Sequence, residues 1–303
     1  LGGSDVIATG AGDDTVDYGG SEVSLDGGSG ANTLVLTTVA TVDLGASDQT
    51  VADAVTVRSF QNVDASGLSA VQGVSITGAA GVNTIVGGLG ADTIDGGGGL
   101  DAIAAGAGAD TVSYRGTEAS IDGGTGTNTL VLQTATTVDL GASADQTTSD
   151  TTTVTGFAAV DASGLSAAVR LTGSTAADAL TGGAGADTID GATGADTIVA
   201  GGGADIVTYH GTEASIDGGA SADTLVLAAL GGISTIDLGV GVGADQTTGD
   251  GVLVADFENV DASALGAAQG LTVLGSNAVN VITGGAGADT IDGGTGSDVS
   301  AAG

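Results

Sequence analysis

Branched aliphatic residues recur along this chain once every nine positions, with small or polar residues between them. Ile85, Ile94, Ile103, Val112, Ile121 and Leu130 form one unbroken series, and Leu180, Ile189, Ile198, Val207, Ile216 and Leu225 form a second. Shorter series run over Ile7, Val16, Leu25 and Leu34 and over Ile282 and Ile291, after which the next position in step holds Ser300. Such spacing predicts strands of three residues whose central side chain points inward. The six residues before each strand are rich in Gly, which opens backbone angles closed to other residues, so they predict turns. The prediction is an all-β chain made of very short strands.

A longer period is superimposed on the short one. Asp5, Asp101, Asp196 and Asp298 occupy equivalent positions, as do Tyr18, Tyr114 and Tyr209. The segment T-L-V-L recurs at 33–36, 129–132 and 224–227, and V-D-A-S at 63–66, 160–163 and 260–263. Phe60, Phe157 and Phe257 each precede V-D-A-S by three residues. The chain therefore reads as one continuous repeat array over 1–303, with copies at 5–100, 101–195 and 196–297 and a fourth starting at 298–303. Because it starts in mid-pattern at Leu1, the expectation is a fragment of something longer. Internal repetition of this kind is the mark of a solenoid. The inserts at 36–77, 132–172 and 227–274 lack nonapeptides and read as wider coils of the same solenoid, with a separate small β-domain as the other option. Within them, D-Q-T (48–50, 145–147, 245–247) reads as an external loop.

Composition narrows the function. The 303 residues include 59 Gly, no Pro, Cys, Met or Trp, and only three Tyr and three Phe. Without cysteine there is neither a disulfide scaffold nor a thiolate metal site. Acidic residues number 37 against three Arg, for a net charge of −34. A surface that acidic repels phosphate, which argues against nucleic acid and against anionic lipid. No apolar run is long enough to cross a membrane, so no membrane insertion is expected. Acidity on this scale often marks disorder, but 41% of the residues are hydrophobic. A folded chain is therefore expected, provided that something neutralises the carboxylates.

The stretch 173–226 reads as six nonapeptides without a gap, among them G-G-A-G-A-D-T-I-D (182–190) and G-A-T-G-A-D-T-I-V (191–199), and 78–131 does the same. These blocks resemble the RTX, or hemolysin-type, calcium-binding nonapeptide G-G-x-G-x-D-x-U-x. The resemblance covers about half of the chain. It implies a parallel β-roll in which two nonapeptides make one 18-residue coil and calcium lies between turns one coil apart. Segments such as A-S-G-L-S-A (65–70) resemble the linkers beside such blocks.

On that reading, stacking sets Asp92 against Asp110, Asp178 against Asp196, Asp187 against Asp205, and Asp205 against Asp223. Four mixed pairs join them: Asp14/Asn32, Asn83/Asp101, Asp110/Asn128 and Asn280/Asp298. Asp5 and Asp289 occupy the same position six of their nonapeptides and complete the expected set of metal ligands. Two carboxylates ~4.8 Å apart repel by roughly 3–4 kcal/mol at an effective dielectric constant of about 20. Burying one Ile or Leu returns only about 1.5–3 kcal/mol per nonapeptide. A bridging cation is needed to close the roll, so that binding becomes folding. The donors on offer are carboxylate, amide and main-chain carbonyl oxygens, which suit Ca²⁺ rather than Zn²⁺ or Cu²⁺, and suit it better than the tighter octahedron of Mg²⁺. Multiple Ca²⁺ ions per chain are expected.

Other positions read as structural. Asp95, Asp190 and Asp292, at position nine, read as solvated strand-edge residues, and His210 as an exposed turn residue. In the nonapeptides that begin at Tyr18, Tyr114 and Tyr209, position six is Val23, Ala119 or Ala214. These turns are expected to lack calcium, with the Tyr packed across the coil surface and Glu22, Glu118 and Glu213 as the alternative ligands. Threonines at position seven (Thr93, Thr111, Thr129) read as strand formers rather than an ice-binding ladder. The carboxylate pairs recur in every coil, whereas a catalytic pair would be unique, so no enzyme activity is expected. The resemblance implies type I secretion of an unfolded chain and folding in outside calcium, which places the protein outside the cell or on a bacterial surface. The resulting expectation is a calcium-binding structural module of an adhesin, surface layer or matrix fibre. Its partners would be calcium ions, further copies of itself, or cell-surface glycans. The alternative is the carboxy-terminal secretion and folding module of an extracellular enzyme or toxin.

Overall fold

A computed structural model describes residues 3–148 and 150–302 of the chain. No helix occurs among them, and the strands are two to four residues long. The central residue of the nonapeptide strands faces inward, as at Ile85, Ile94, Leu180 and Ile189, with the flanking residues outside, and among the described residues only the strand Val299–Ala301, centred on Ser300, is exposed throughout. Alternation of side-chain direction along a strand makes this the only way for one aliphatic per nonapeptide to build a core.

The chain divides into two compact units, one of residues 1–134 with 143–157 and the other of 135–142 with 158–303. In the first unit the strands Val6–Ala8, Ser24–Asp26 and Thr56–Arg58 form one parallel sheet. A second sheet runs through Thr15–Tyr18, Thr33–Leu36, Asn62–Asp64, Thr84–Val86, Ala102–Ala104, Ser120–Asp122 and Thr153–Thr155. A third contains Thr41–Asp43, Ser75–Thr77, Thr93–Asp95, Thr111–Tyr114 and Thr129–Leu132. Ile85 pairs with Ile103 and Ile103 with Ile121, while Ile94 pairs with Val112 and Val112 with Leu130, so each coil consumes eighteen residues.

The insert 36–77 is a wide coil that exchanges one face of the roll for another. Thr41–Asp43 founds the third sheet, Thr56–Arg58 closes the first, and Asn62–Asp64 continues the second. The second unit repeats the exchange. Its roll begins on the sheet Ala159–Asp161, Ala179–Thr181, Thr197–Val199, Ser215–Asp217 and Leu253–Ala255. That sheet ends at Leu253–Ala255, within the insert. The sheet from Thr137–Asp139 through Arg170–Thr172, Thr188–Asp190, Ile206–Tyr209, Thr224–Leu227, Asn259–Asp261 and Val281–Thr283 to Val299–Ala301 continues. A new sheet opens with Thr235–Asp237, Thr272–Leu274 and Thr290–Asp292.

The inserts differ from the sequence reading in two respects. The D-Q-T segments are not external at their centre, because Gln49, Gln146 and Gln246 are buried. In each, the side-chain amide pairs with the backbone of the Phe eleven residues later: Gln49 Nε2 donates to the Phe60 carbonyl at 2.8 Å and Oε1 accepts the Phe60 N–H at 2.9 Å. Gln146 and Phe157, and Gln246 and Phe257, repeat both bonds. A glutamine thus stands in for a strand partner where the coil turns its corner. Nor is 65–70 a linker, since Ala65 and Leu68 are buried and the Leu68 N–H closes a turn on the Ala65 carbonyl.

The tyrosines are also inside. Tyr18, Tyr114 and Tyr209 are buried, and their hydroxyls donate to Asp53, Asp150 and Asp250 of the inserts at 3.0, 2.9 and 2.7 Å. Burial and the Asp53 carboxylate push the Tyr18 phenol up to about 12, so it remains a donor throughout the physiological range.

Candidate metal centre

The glycine corners bring the position-six residues into register. In all eight expected pairs the side-chain Oδ1 of one residue accepts the main-chain N–H of the residue eighteen positions earlier. Asp110 takes Asp92, Asp196 takes Asp178, Asp205 takes Asp187 and Asp223 takes Asp205, at 2.7–2.9 Å. Asn32 takes Asp14, Asp101 takes Asn83, Asn128 takes Asp110 and Asp298 takes Asn280, at 2.8–3.0 Å. Asp289 is placed likewise and takes the N–H of Leu271, where no carboxylate stands opposite. Asp5 is exposed and faces Val23, whose N–H goes to the Asp5 carbonyl rather than to its side chain.

The second side-chain atom divides these residues. Asp92 and Asp187 use Oδ2 to accept the N–H four residues back, from Gly88 and Gly183, and Asp178 accepts that of Ser174. In Asn32 and Asn128 the corresponding atom is a donor, Nδ2, which is bonded to the carbonyls of Ser59 and Gly156. The Oδ2 atoms of Asp14, Asp101, Asp110, Asp196, Asp205, Asp223 and Asp289 are buried without a hydrogen-bond partner. A buried acceptor left unpaired costs about 1–3 kcal/mol, and more when charged. Burial raises the carboxyls of Asp101, Asp110 and Asp196 above the ordinary range. Asp205 is pushed up to about 6 and Asp223 to about 7, first by burial and then by the neighbouring carboxylates, against the opposing pull of the N–H bond. Among the described residues no three His, Cys, Asp or Glu side chains converge to hold a metal by themselves. A cation here must take its remaining ligands from main-chain carbonyls, as Ca²⁺ readily does.

A family model for the RTX calcium-binding nonapeptide repeat matches the chain four times, over residues 1–21, 77–112, 172–207 and 272–303. These are RTX repeats. They bind calcium, and several ions are expected along the chain. A comparison with curated proteins gives no match. The unpartnered carboxylate oxygens fit the ion, because an oxygen-binding dication is the partner that seven buried anionic acceptors lack. In the RTX coils the ligands would come from the position-six Asp side chains and the carbonyls of the glycine corners, and calcium would supply the charge that cancels repulsion between layers.

The tyrosine-led turns are closed by their own glutamates. Glu118 Oε1 and Oε2 accept the N–H groups of Arg115 and Thr117, and Glu213 takes those of His210, Gly211 and Thr212. Glu22 does the same with Gly19 and Ser21. Position-nine aspartates are more than solvated edges. Asp95, Asp190 and Asp292 each accept the N–H two residues on, which fixes the start of the next corner. Asp95 also holds Arg115 at 2.7 Å, and His210 Nε2 is hydrogen-bonded to Asp190 at 2.8 Å, so His210 is half-buried against a strand carboxylate rather than an exposed turn residue. Sequence reasoning passed over Gln61 and Glu258, whose side chains accept the N–H groups of Asn32 and Asp223 and carry the column through the inserts. Their offsets of 29 and 35 residues hide them from an eighteen-residue search.

Acid should oppose calcium. Asp205 and Asp223 hold their protons up to about 6 and about 7 in the calcium-free roll, against roughly 3.9 in the unfolded chain. Their contribution to the calcium-free roll is fully present below the unfolded value and is lost as pH rises through 6–7. Calcium must displace those protons, so the calcium midpoint for folding is expected to be roughly tenfold higher at pH 5.5 than at pH 8. Titrations followed by circular dichroism at both pH values check this, and equal midpoints would contradict it.

Proposed function

We propose that this chain is a structural stretch of a secreted bacterial repeat protein, set by calcium outside the cell and used in an adhesin, a surface layer or a matrix fibre. What carries the reading is the set of buried, unpartnered Asp oxygens repeated along the RTX coils. A chain that needs many such sites filled suits a compartment where calcium is plentiful, and extracellular modules bind in the range of about 10⁻⁴–10⁻³ M. Near-copies of about one hundred residues are a means of building length. Catalysis is not part of this function. The acidic pairs serve every coil alike, and Arg58, Arg115 and His210 are each tied to an Asp on the strand faces.

Antibodies raised against the chain are expected to label intact cells of the source organism grown in millimolar calcium, and chelator should abolish the labelling. Labelling confined to the cytosol would overturn the reading. Release into the medium on one polypeptide with a catalytic domain would favour the enzyme-module alternative.

A further inference from the structure

Three glycine corners, at 27–32, 123–128 and 218–223, each lie against the backbone of a returning insert, at the carbonyls of Ser59, Gly156 and Asp256. The strands that return there, Thr56–Arg58, Thr153–Thr155 and Leu253–Ala255, end their sheets and have a partner strand on one side only. A corner that gives way therefore frees an edge strand.

The first two corners carry Gly at their fourth position and the third carries Ser. Gly30 and Gly126 have φ of 131° and 121°, and Ser221 is held at 115°. That angle lies beyond the left-handed well at about +57° that other residues occasionally enter, so a side chain there is strained. A methyl at Gly30 or Gly126 would overlap the carbonyl oxygen of Gly12 or Gly108 in the coil below. Gly203 is the equivalent residue beneath Ser221, eighteen positions earlier. The bond between these layers is longer than its counterparts. Gly203 N–H reaches the Ala220 carbonyl at 3.2 Å, where Gly12 to Ser29 and Gly108 to Thr125 each measure 2.9 Å.

The third insert is also tied on less firmly. Asn32 and Asn128 each donate a side-chain amide to the insert carbonyl, at 3.0 and 2.9 Å. Asp223 has no such donor, and its Oδ2 has no hydrogen-bond partner. Glu258 N–H meets the Asp223 carbonyl at 3.2 Å, where Gln61 N–H meets that of Asn32 at 3.0 Å.

We propose that the corner 218–223 is a built-in release point, which opens before the corners 27–32 and 123–128 as calcium falls and lets the strand Leu253–Ala255 leave the roll. Backbone strain persists only while its surroundings over-determine it, and the ions between layers supply that restraint here. Local opening begins where its free energy is least. Of the three corners, the third alone combines a strained residue, a lengthened interlayer bond and no amide tie. Partial loss of calcium then exposes one strand edge in the second unit while both corners of the first stay shut. The inference rests on the calcium reading of the repeats and needs no ion beyond theirs.

Hydrogen exchange read by mass spectrometry, on the calcium-loaded chain stepped down through buffered free calcium, tests it. Amides of 218–226 and 253–257 are expected to lose protection at a calcium level at least about threefold higher than those of 27–35, 56–60, 123–131 and 153–157. Simultaneous opening of the three corners, or opening of the third after either other, would overturn the release point alone. Protection that ignores calcium throughout would overturn the underlying reading as well. Ser221→Gly removes the strain without adding bulk, and should bring the third corner to within about twofold of the other two. An unchanged order of opening in that variant would contradict the assignment to Ser221. Gly126→Ser is the converse, and should make the second corner open at a calcium level at least about threefold higher than before.

Discussion

With calcium removed by excess chelator, the chain is expected to lose its β-sheet circular dichroism and to recover it when calcium is restored. The physical basis is the imbalance between core and charge. Each coil buries little more than two aliphatic side chains, while seven Asp Oδ2 atoms lie buried without partners. Pairs of carboxylates one layer apart repel by roughly 3–4 kcal/mol at a dielectric constant of about 20. Four such Asp pairs, Asp92/Asp110, Asp178/Asp196, Asp187/Asp205 and Asp205/Asp223, are in register. Their sum rivals the about 5–15 kcal/mol that holds an ordinary domain together. Protonation relieves only part of this at neutral pH, since Asp205 and Asp223 reach no higher than about 6 and about 7. A chain that kept its full β-signal in chelator would show that the coils close on apolar contacts and backbone bonds alone.

The substitution Gly124→Ala should be nearly as damaging. Gly124 has φ of +75°, and a methyl on its Cα would overlap the Gly106 carbonyl oxygen of the coil below. The equivalent Gly28 and Gly219 are hemmed in the same way by Gly10 and Gly201. Both neighbours are backbone, so neither can swing aside. The left-handed angle costs an L-residue about 1–2 kcal/mol, and overpacking adds about 1–3 kcal/mol. Destabilisation of about 2–5 kcal/mol is therefore expected, read as a rise of at least about tenfold in the calcium midpoint for folding. Gly164→Ala is the matched control, because nothing lies within 4 Å of a methyl there. Equal midpoints for the two variants would mean that the layers are not in close contact at the corners.

Much of this was legible in the chain because the roll is local arithmetic. The eighteen-residue step fixes which Asp meets which, and the N–H to Oδ1 bonds from Asp14/Asn32 to Asn280/Asp298 fall on it without exception. The inserts follow no fixed step, so contacts such as Tyr18 to Asp53, Tyr114 to Asp150 and Tyr209 to Asp250 arise at three different offsets. Polarity misled at Gln49, Gln146 and Gln246, since an amide that satisfies a backbone N–H and carbonyl at once can be buried without penalty. The constant eleven residues from each Gln to its Phe were the available signal. Position-nine aspartates such as Asp95 looked idle because their bond is to the residue two places on, within a turn that side-chain pattern alone does not reveal.

The pairing of Ile85 with Ile103 and of Ile94 with Val112 also constrains how such a gene can lengthen. Replication slippage that added a single nine-residue unit would send every downstream strand to the opposite wall of the roll and change the stacking partner of the aspartates on either side of the insertion. Tolerated duplications should come as even numbers of units, or as whole segments that carry their own corner.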